Sequence, residues 1–311
     1  MKSNKILAAV VAACLFLPAL AQSEKTMESM GFSRIVRDPA SAAMGFTVKA
    51  SDVAPAWAAF GNPGLVPMTP GRLAAGLSYQ SWAPKSVKTG NIAAGLSYHT
   101  GKVGLTAGFA WQNGQEYEVV DNYGISQGSF KPSDMQVGGG IGVQIVPSFS
   151  LGANVRFLSS NVSADDKYTS IGVDFLATWS QNGITVAGGV SNLGGSVSDS
   201  KKTSFSIPGS ATLAAQYKAV FEKVHGLRAD LDADWFFSSG SLGVAAGLEY
   251  GYDDLVFIRA GYHYGTELCV LPSFVTLGAG VKYMGIRFDL AYLTGNEYIG
   301  NTLTLGLGYS F

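Results

Sequence analysis

Asp230, Asp232 and Asp234 recur at two-residue intervals, with Arg228 one step before them. Alternate residues of a strand share one face, so the carboxylates form a row able to hold a cation or steer a charged permeant. The competing reading is a hydrated ladder inside a barrel, where charged lumen residues are ordinary. Its partners would be Arg156, Arg259, Arg287 or Lys282 from other strands, with Asp174 and Asp289 as further lumen-facing acids. Calcium needs more oxygen ligands from a compact loop, and no segment supplies them. His99, His225 and His263 are far apart, so no pair has metal-ligand spacing. A lipid hydrolase would need a nucleophile held by a histidine and an acid, yet His263 falls on the lumen side, away from bilayer lipid. The sequence therefore points to no enzyme, cofactor or metal.

The elements that carry these residues are strands. In Thr302 to Phe311 every second residue is large and apolar and the others are small or polar, the period of a strand between two unlike faces. Leu227 to Phe237, Ile286 to Tyr292, Leu151 to Phe157, Val275 to Tyr283 and Ile171 to Trp179 repeat it. Strands are expected near 72–82, 90–99, 102–112, 134–146, 149–158, 168–181, 183–192, 209–219, 226–237, 240–251, 254–264, 273–284, 285–294 and 302–311. Each is close to the nine to eleven or so residues that a tilted membrane strand needs. Connections after even strands are mostly tight, as at Asn182-Gly183, and those after odd strands mostly long; Ser238-Ser239 and Val220 to His225 are the exceptions. A transmembrane barrel sorts its loops this way and a soluble sandwich has no reason to.

Composition agrees. Charged residues are 14% of the 311, against about 25% in soluble domains. The 40 glycines follow no period of three, which excludes collagen, and no basic face suggests a nucleic-acid partner. The expected fold is all-β, an outer-membrane barrel of about fourteen antiparallel strands over 71–311, with bilayer lipid as its first partner. In this register Leu305 faces lipid, and Thr304 faces a hydrated lumen that would tolerate arginine. Tyr79, Trp82, Tyr98, Trp111, Trp179, Trp235, Tyr250, Tyr283 and Tyr309 form interface girdles.

Residues 1–21 read as a cleaved signal peptide: Lys2 and Lys5, an apolar stretch, then Ala19-Leu20-Ala21. Val11 to Cys14 also resembles a lipobox, which would make Cys14 a lipidated amino end. Without the leader, Cys269 is the one cysteine left, so no internal disulfide can form. Residues 22–70 lack strand periodicity and make either a periplasmic arm or a plug in a lumen too wide for side chains to fill.

Asp38-Pro39-Ala40-Ser41-Ala42-Ala43-Met44-Gly45 and Ala58 to Leu65 resemble the N-terminal signature of the PorV/PorQ family, within the FadL-like outer-membrane barrels. The resemblance implies fourteen strands and an N-terminal hatch, with Asp38, Pro39, Ala42, Met44, Gly45, Asn62 and Pro63 as its motif. Two positions depart from the pattern: Phe46 stands where a second glycine is usual, and Gly64 replaces the alanine of an Asn-Pro-Ala turn. The implied function is type IX secretion or surface attachment, with secreted cargo and secretion machinery as partners. The alternative is a channel for a small hydrophobic ligand. Apolar residues in the long loops, Tyr117, Val119, Val120, Tyr123, Ile125, Phe130, Val197, Phe205 and Ile207, either mark a partner surface or fold over the barrel mouth.

Overall fold

The computed structural model describes residues 28–83, 88–163, 166–198 and 204–311; the expected signal peptide and Cys14 lie outside them. Among the described residues fourteen strands close into one barrel. They are β1 (Leu73–Trp82), β2 (Thr89–His99), β3 (Val103–Asn113), β4 (Ser133–Val146), β5 (Phe149–Asn161), β6 (Lys167–Gln181) and β7 (Ile184–Gly194). The second half holds β8 (Ser210–Phe221), β9 (His225–Phe236), β10 (Leu242–Tyr252), β11 (Val256–Gly265), β12 (Phe274–Tyr283), β13 (Ile286–Thr294) and β14 (Thr302–Ser310). Each strand pairs antiparallel with its sequence neighbours, and β1 closes on β14 with Tyr79 opposite Leu305.

Alternation sorts the faces. In β6, Ile171 and Phe175 are each 55% exposed while Asp174 and Thr178, on the opposite face, are buried. An apolar outer face over a ladder without free edges is the arrangement a bilayer requires. Trp82 departs from its expected girdle place: it is an even-numbered residue of β1, faces inward and is buried against Phe46. Thr304 does not meet a hydrated lumen either. It is fully buried and accepts a hydrogen bond from Gln80 Nε2 at 2.9 Å.

One barrel end carries the tight turns. Asn182 and Gly183 both have positive φ, as do Met284 and Gly285, the backbone of two-residue hairpins whose twist matches the strands. The Val220 to His225 exception disappears, because β8 runs to Phe221 and β9 starts at His225. The loop end holds a hairpin of 117–120 against 126–130 and a smaller one of 196–198 against 204–206.

Residues 28–72 run through the lumen rather than beside it. Ser29 N donates to Ser206 O at 2.9 Å at the loop end, and Leu73 N donates to Phe311 O at 3.1 Å at the turn end. Between them lie short helical turns at Gly31–Arg34, Pro39–Ala42, Pro55–Phe60 and Pro63–Met68. A proline opens each of the last three, where its missing N–H costs nothing and its φ is already helical.

The belt can be tested directly. Leu277→Arg, at a half-exposed position midway along β12, should destabilise the refolded barrel by about 2–4 kcal/mol. Tyr123→Arg, beyond the belt on the 117–130 hairpin, should change stability by less than about 0.5 kcal/mol. Denaturant titrations read by heat-modifiable gel mobility measure both, and equal costs would displace the belt from β12.

Candidate functional site: the filled lumen

The inner segment sits against the wall at inward-facing glycines. A methyl group at Gly108 would stand 2.6 Å from the Phe60 ring, at Gly76 2.8 Å from the Trp57 indole nitrogen, and at Gly247 2.5 Å from Met44 Cβ. Glycine there gives room for backbone and rings to approach the sheet. Met44 is wholly buried against Gly247, and Gly45, at φ 73, occupies a conformation that suits glycine. Gly45 N donates to Thr276 Oγ1 at 3.0 Å, and that hydroxyl donates to Ala43 O at 2.8 Å. Asp38 caps the Pro39–Ala42 turn by accepting from Ser41 N at 2.6 Å, and Ala42 is fully buried. Asn62 donates to Lys49 O and Thr178 Oγ1, both at 2.8 Å, ahead of Pro63.

Both positions that depart from the resembled signature, Gly64 and Phe46, have local physical explanations. An alanine methyl at position 64 would lie 3.0 Å from Asn62 Oδ1 and 3.2 Å from Gly152 N of β5, so glycine fits where the turn touches the wall. Phe46 keeps the left-handed conformation expected of a glycine, with φ 78, which costs a non-glycine residue about 1–2 kcal/mol. Its ring offsets that by packing edge-on to Phe274 at 5.0 Å and beside Trp82 at 6.3 Å.

The lumen charges form two groups, and the cross-strand ladder that one of them makes leaves out the row of Asp230, Asp232 and Asp234. Near the turn end, Glu249 accepts from Arg228 at 2.5 Å and from Arg259 at 2.6 Å, and Asp289 from Arg259 at 2.8 Å. Arg287 lies 2.7 Å from Asp289 and donates to Val53 O of the inner segment at 2.9 Å. Arg228 and Lys218 both pair with Asp52, at 3.1 and 2.7 Å. Burial pushes the Asp52 carboxyl up, but these two cations outweigh it and hold it below its ordinary range. Lys282 pairs at the rim with Asp254.

Higher in the lumen, Arg156 pairs with Asp174, both buried. Asp234 pairs with Arg34 at 2.7 Å, and Asp232 accepts from Val48 N and Lys49 N at 2.8 and 2.9 Å. Asp232 and Asp234 thus take inner-segment groups, with Ser210 and Thr212 of β8 also donating to Asp234, rather than Arg156, Arg259, Arg287 or Lys282. Asp230 is buried and meets no donor in hydrogen-bonding geometry. Burial pulls the Lys49 ammonium below its ordinary value. Sequence reasoning missed Asp52, Lys49 and Glu249, because an isolated charge in an aperiodic segment or strand has no local signature.

Beside these charges the loop end of the lumen also holds an apolar cluster. Phe32, Ile35, Phe46, Leu271, Phe274 and Ile299 belong to one buried cluster at the loop end. His263 stacks on Phe274 with ring centroids 4.9 Å apart. The loop residues divide. Val197 and Ile207 are buried over the mouth, whereas Tyr123 is 89% exposed, with Ile125 and Val120 also exposed.

No protein-family profile matches the chain, and no curated protein is similar in sequence. Solved structures share the fold. The Ralstonia pickettii toluene transporter TbuX superposes with TM-score 0.62 at 15% identity, over 90% of this chain and 99% of that one. The monoaromatic hydrocarbon channel CymD gives 0.61 at 13% identity, over 89% and 98%. A Pseudomonas aeruginosa FadL homologue gives 0.51 at 11%, over 88% and 98%. The fold is therefore that of FadL-like barrels. At such identities the likeness carries the fold alone, and it does not reach the PorV/PorQ family.

Seating by glycine makes its own prediction. Gly247→Val should displace residues 43–46 at an overpacking cost of about 1–3 kcal/mol, raising amide hydrogen exchange across 40–50 while the barrel stays heat-modifiable. Gly226→Ala, whose added methyl would have its nearest neighbour at 3.8 Å, should leave exchange unchanged.

Proposed function

We propose that this chain is an outer-membrane channel for small hydrophobic molecules, exported by a cleaved leader and without enzymatic activity. The observation that carries this reading is the apolar cluster at the loop end, lined by Phe32, Phe46, Leu271 and Phe274. It would face the exterior, since outer-membrane barrels keep their tight turns in the periplasm. An apolar molecule gains about 25 cal/mol for each Å² it removes from water, so space opened among these side chains would concentrate it, with the inner segment acting as the hatch. TbuX is a toluene transporter, and a monoaromatic hydrocarbon is the class we assign to this chain.

Phe46 fills the chamber floor. Phe46→Gly removes a ring and relieves a left-handed backbone at once, so it should enlarge the chamber at a smaller stability cost than the roughly 3–5 kcal/mol of an ordinary buried Phe→Ala. Uptake of radiolabelled toluene by cells carrying Phe46→Gly should rise above the unmodified protein and fall to background in a deletion strain. Equal uptake in all three strains would remove the channel reading.

A second reading, secretion or attachment of cargo in the PorV/PorQ manner, is favoured by the exposed Tyr123 and Ile125. Under it, deleting 117–130 should deplete the secreted proteome; under the channel reading the same deletion should leave both secretion and toluene uptake intact.

A further inference from the structure

His263 of β11 is 7% exposed and carries a polar atom without a protein partner. Its Nδ1 donates to Pro272 O at 3.1 Å, so in the neutral ring Nε2 holds the lone pair. Among the described residues Nε2 meets no hydrogen-bond donor, and it faces the place where Gly243 lacks a side chain. A methyl group on Gly243 would stand 3.6 Å from that nitrogen and 3.5 Å from both Cys269 Sγ and the Phe236 ring. The strand register explains this opening. Asp232, Ala245 and His263 form one inward row across β9, β10 and β11, and Asp234, Gly243 and Gly265 form the next row toward the loops. Between the β9 carboxylates and the imidazole, β10 thus contributes only a methyl group and a hydrogen atom. The result is a trough with Gly243 and Ala245 as its floor.

The trough belongs to the same cavity as Phe46 and Leu271 of the apolar cluster, with the Phe46 ring 6.4 Å from the imidazole. Its polar walls are already engaged on the β9 side, where Asp234 pairs with Arg34 and Asp232 accepts two backbone N–H groups. An acceptor buried without a donor is costly, and the rings around this one suit an apolar body. A charged donor would lose its hydration against those rings, whereas a neutral hydroxyl loses little. We propose that His263 sets the specificity of the loop-end lumen by accepting a hydrogen bond from the hydroxyl of a phenol held over Gly243 and Ala245. The inference rests on the channel reading for what the ligand does in the cell, and narrows its single-ring class to members that carry a hydroxyl. Phenol and toluene differ by a hydroxyl in place of a methyl group of similar size. A site built to hydrogen-bond the hydroxyl discriminates against the analogue that lacks it, so the pair isolates this one contact.

Paired titrations of the refolded barrel carrying nitrogen-15 histidine test it. Phenol should move the Nε2 resonance of His263, assigned by its loss in His263→Phe, and toluene should leave it in place. After partition into empty micelles is subtracted, phenol should bind roughly three- to ten-fold more tightly than toluene, the worth of one neutral hydrogen bond. His263→Phe keeps a ring on Phe274 and should abolish that preference while toluene still binds. Gly243→Val should exclude both solutes where gel mobility confirms a folded barrel. The assignment would be overturned by a resonance that both solutes move alike or that phenol leaves in place. A preference that survives His263→Phe, or phenol binding unchanged in folded Gly243→Val, would overturn it equally. Loss of the channel reading would register separately, as uptake of both solutes at the level of a deletion strain with the binding preference intact.

Discussion

Closure of the ladder is the constraint on which everything else in this molecule rests. Hydrocarbon offers no partner to a backbone N–H or C=O, so a sheet can stand in it only if the last strand pairs with the first. Pairing of β14 with β1 from Ala74 opposite Ser310 to Ser81 opposite Leu303 meets that demand. Once the ring is closed, the two faces of each strand have opposite environments, and a period of two becomes obligatory. Outward Leu277, Phe288 and Val155 then meet lipid as half-exposed side chains, where in a soluble protein they would be liabilities.

The ring also creates a problem that its own side chains do not solve. Fourteen strands enclose more space than inward residues fill, and those residues include buried Asp174, Asp232, Arg156 and Arg259. Unpaired charges in such a place cost several kcal/mol each. Residues 28–72 answer both needs. Their rings and backbone occupy volume where glycines make the wall thin, and their groups complete the wall's polar residues: Arg34 meets Asp234, and two backbone N–H groups meet Asp232. Filling and neutralisation are thus one event, which ties the inner segment's seating to the polarity of the wall.

Polarity then divides the lumen along its axis. Loop residues such as Ile207, Leu271 and Ile299 fold inward on Phe32 and make the loop end apolar. The turn end holds Arg228, Glu249, Arg259, Arg287 and Asp289 in one network, with Phe257 beneath two of the guanidinium groups. A hydrocarbon is stabilised in the first half and excluded by the second while the segment keeps this conformation. Passage on the channel reading therefore needs movement of the inner segment, and the wall, tied by fourteen ladders, is the part that does not move.

The sequence by itself determined the wall. Strand boundaries near 149–158, 183–192 and 302–311 fall within a few residues of β5, β7 and β14, because alternation is a local property forced by two unlike solvents. Asn182-Gly183 announced its turn because positive φ at two successive positions restricts residue type. Trp82 was misplaced because strand ends are where local parity no longer fixes the environment. The tertiary structure alone decided what fills the lumen. Nothing in Asp232 and Asp234 discloses that they take partners from an aperiodic segment, since those contacts join residues some two hundred positions apart. The glycines carried the same information in latent form: composition registers their number, and only the folded chain distinguishes those under Met44, Trp57 and Phe60 from those in open turns.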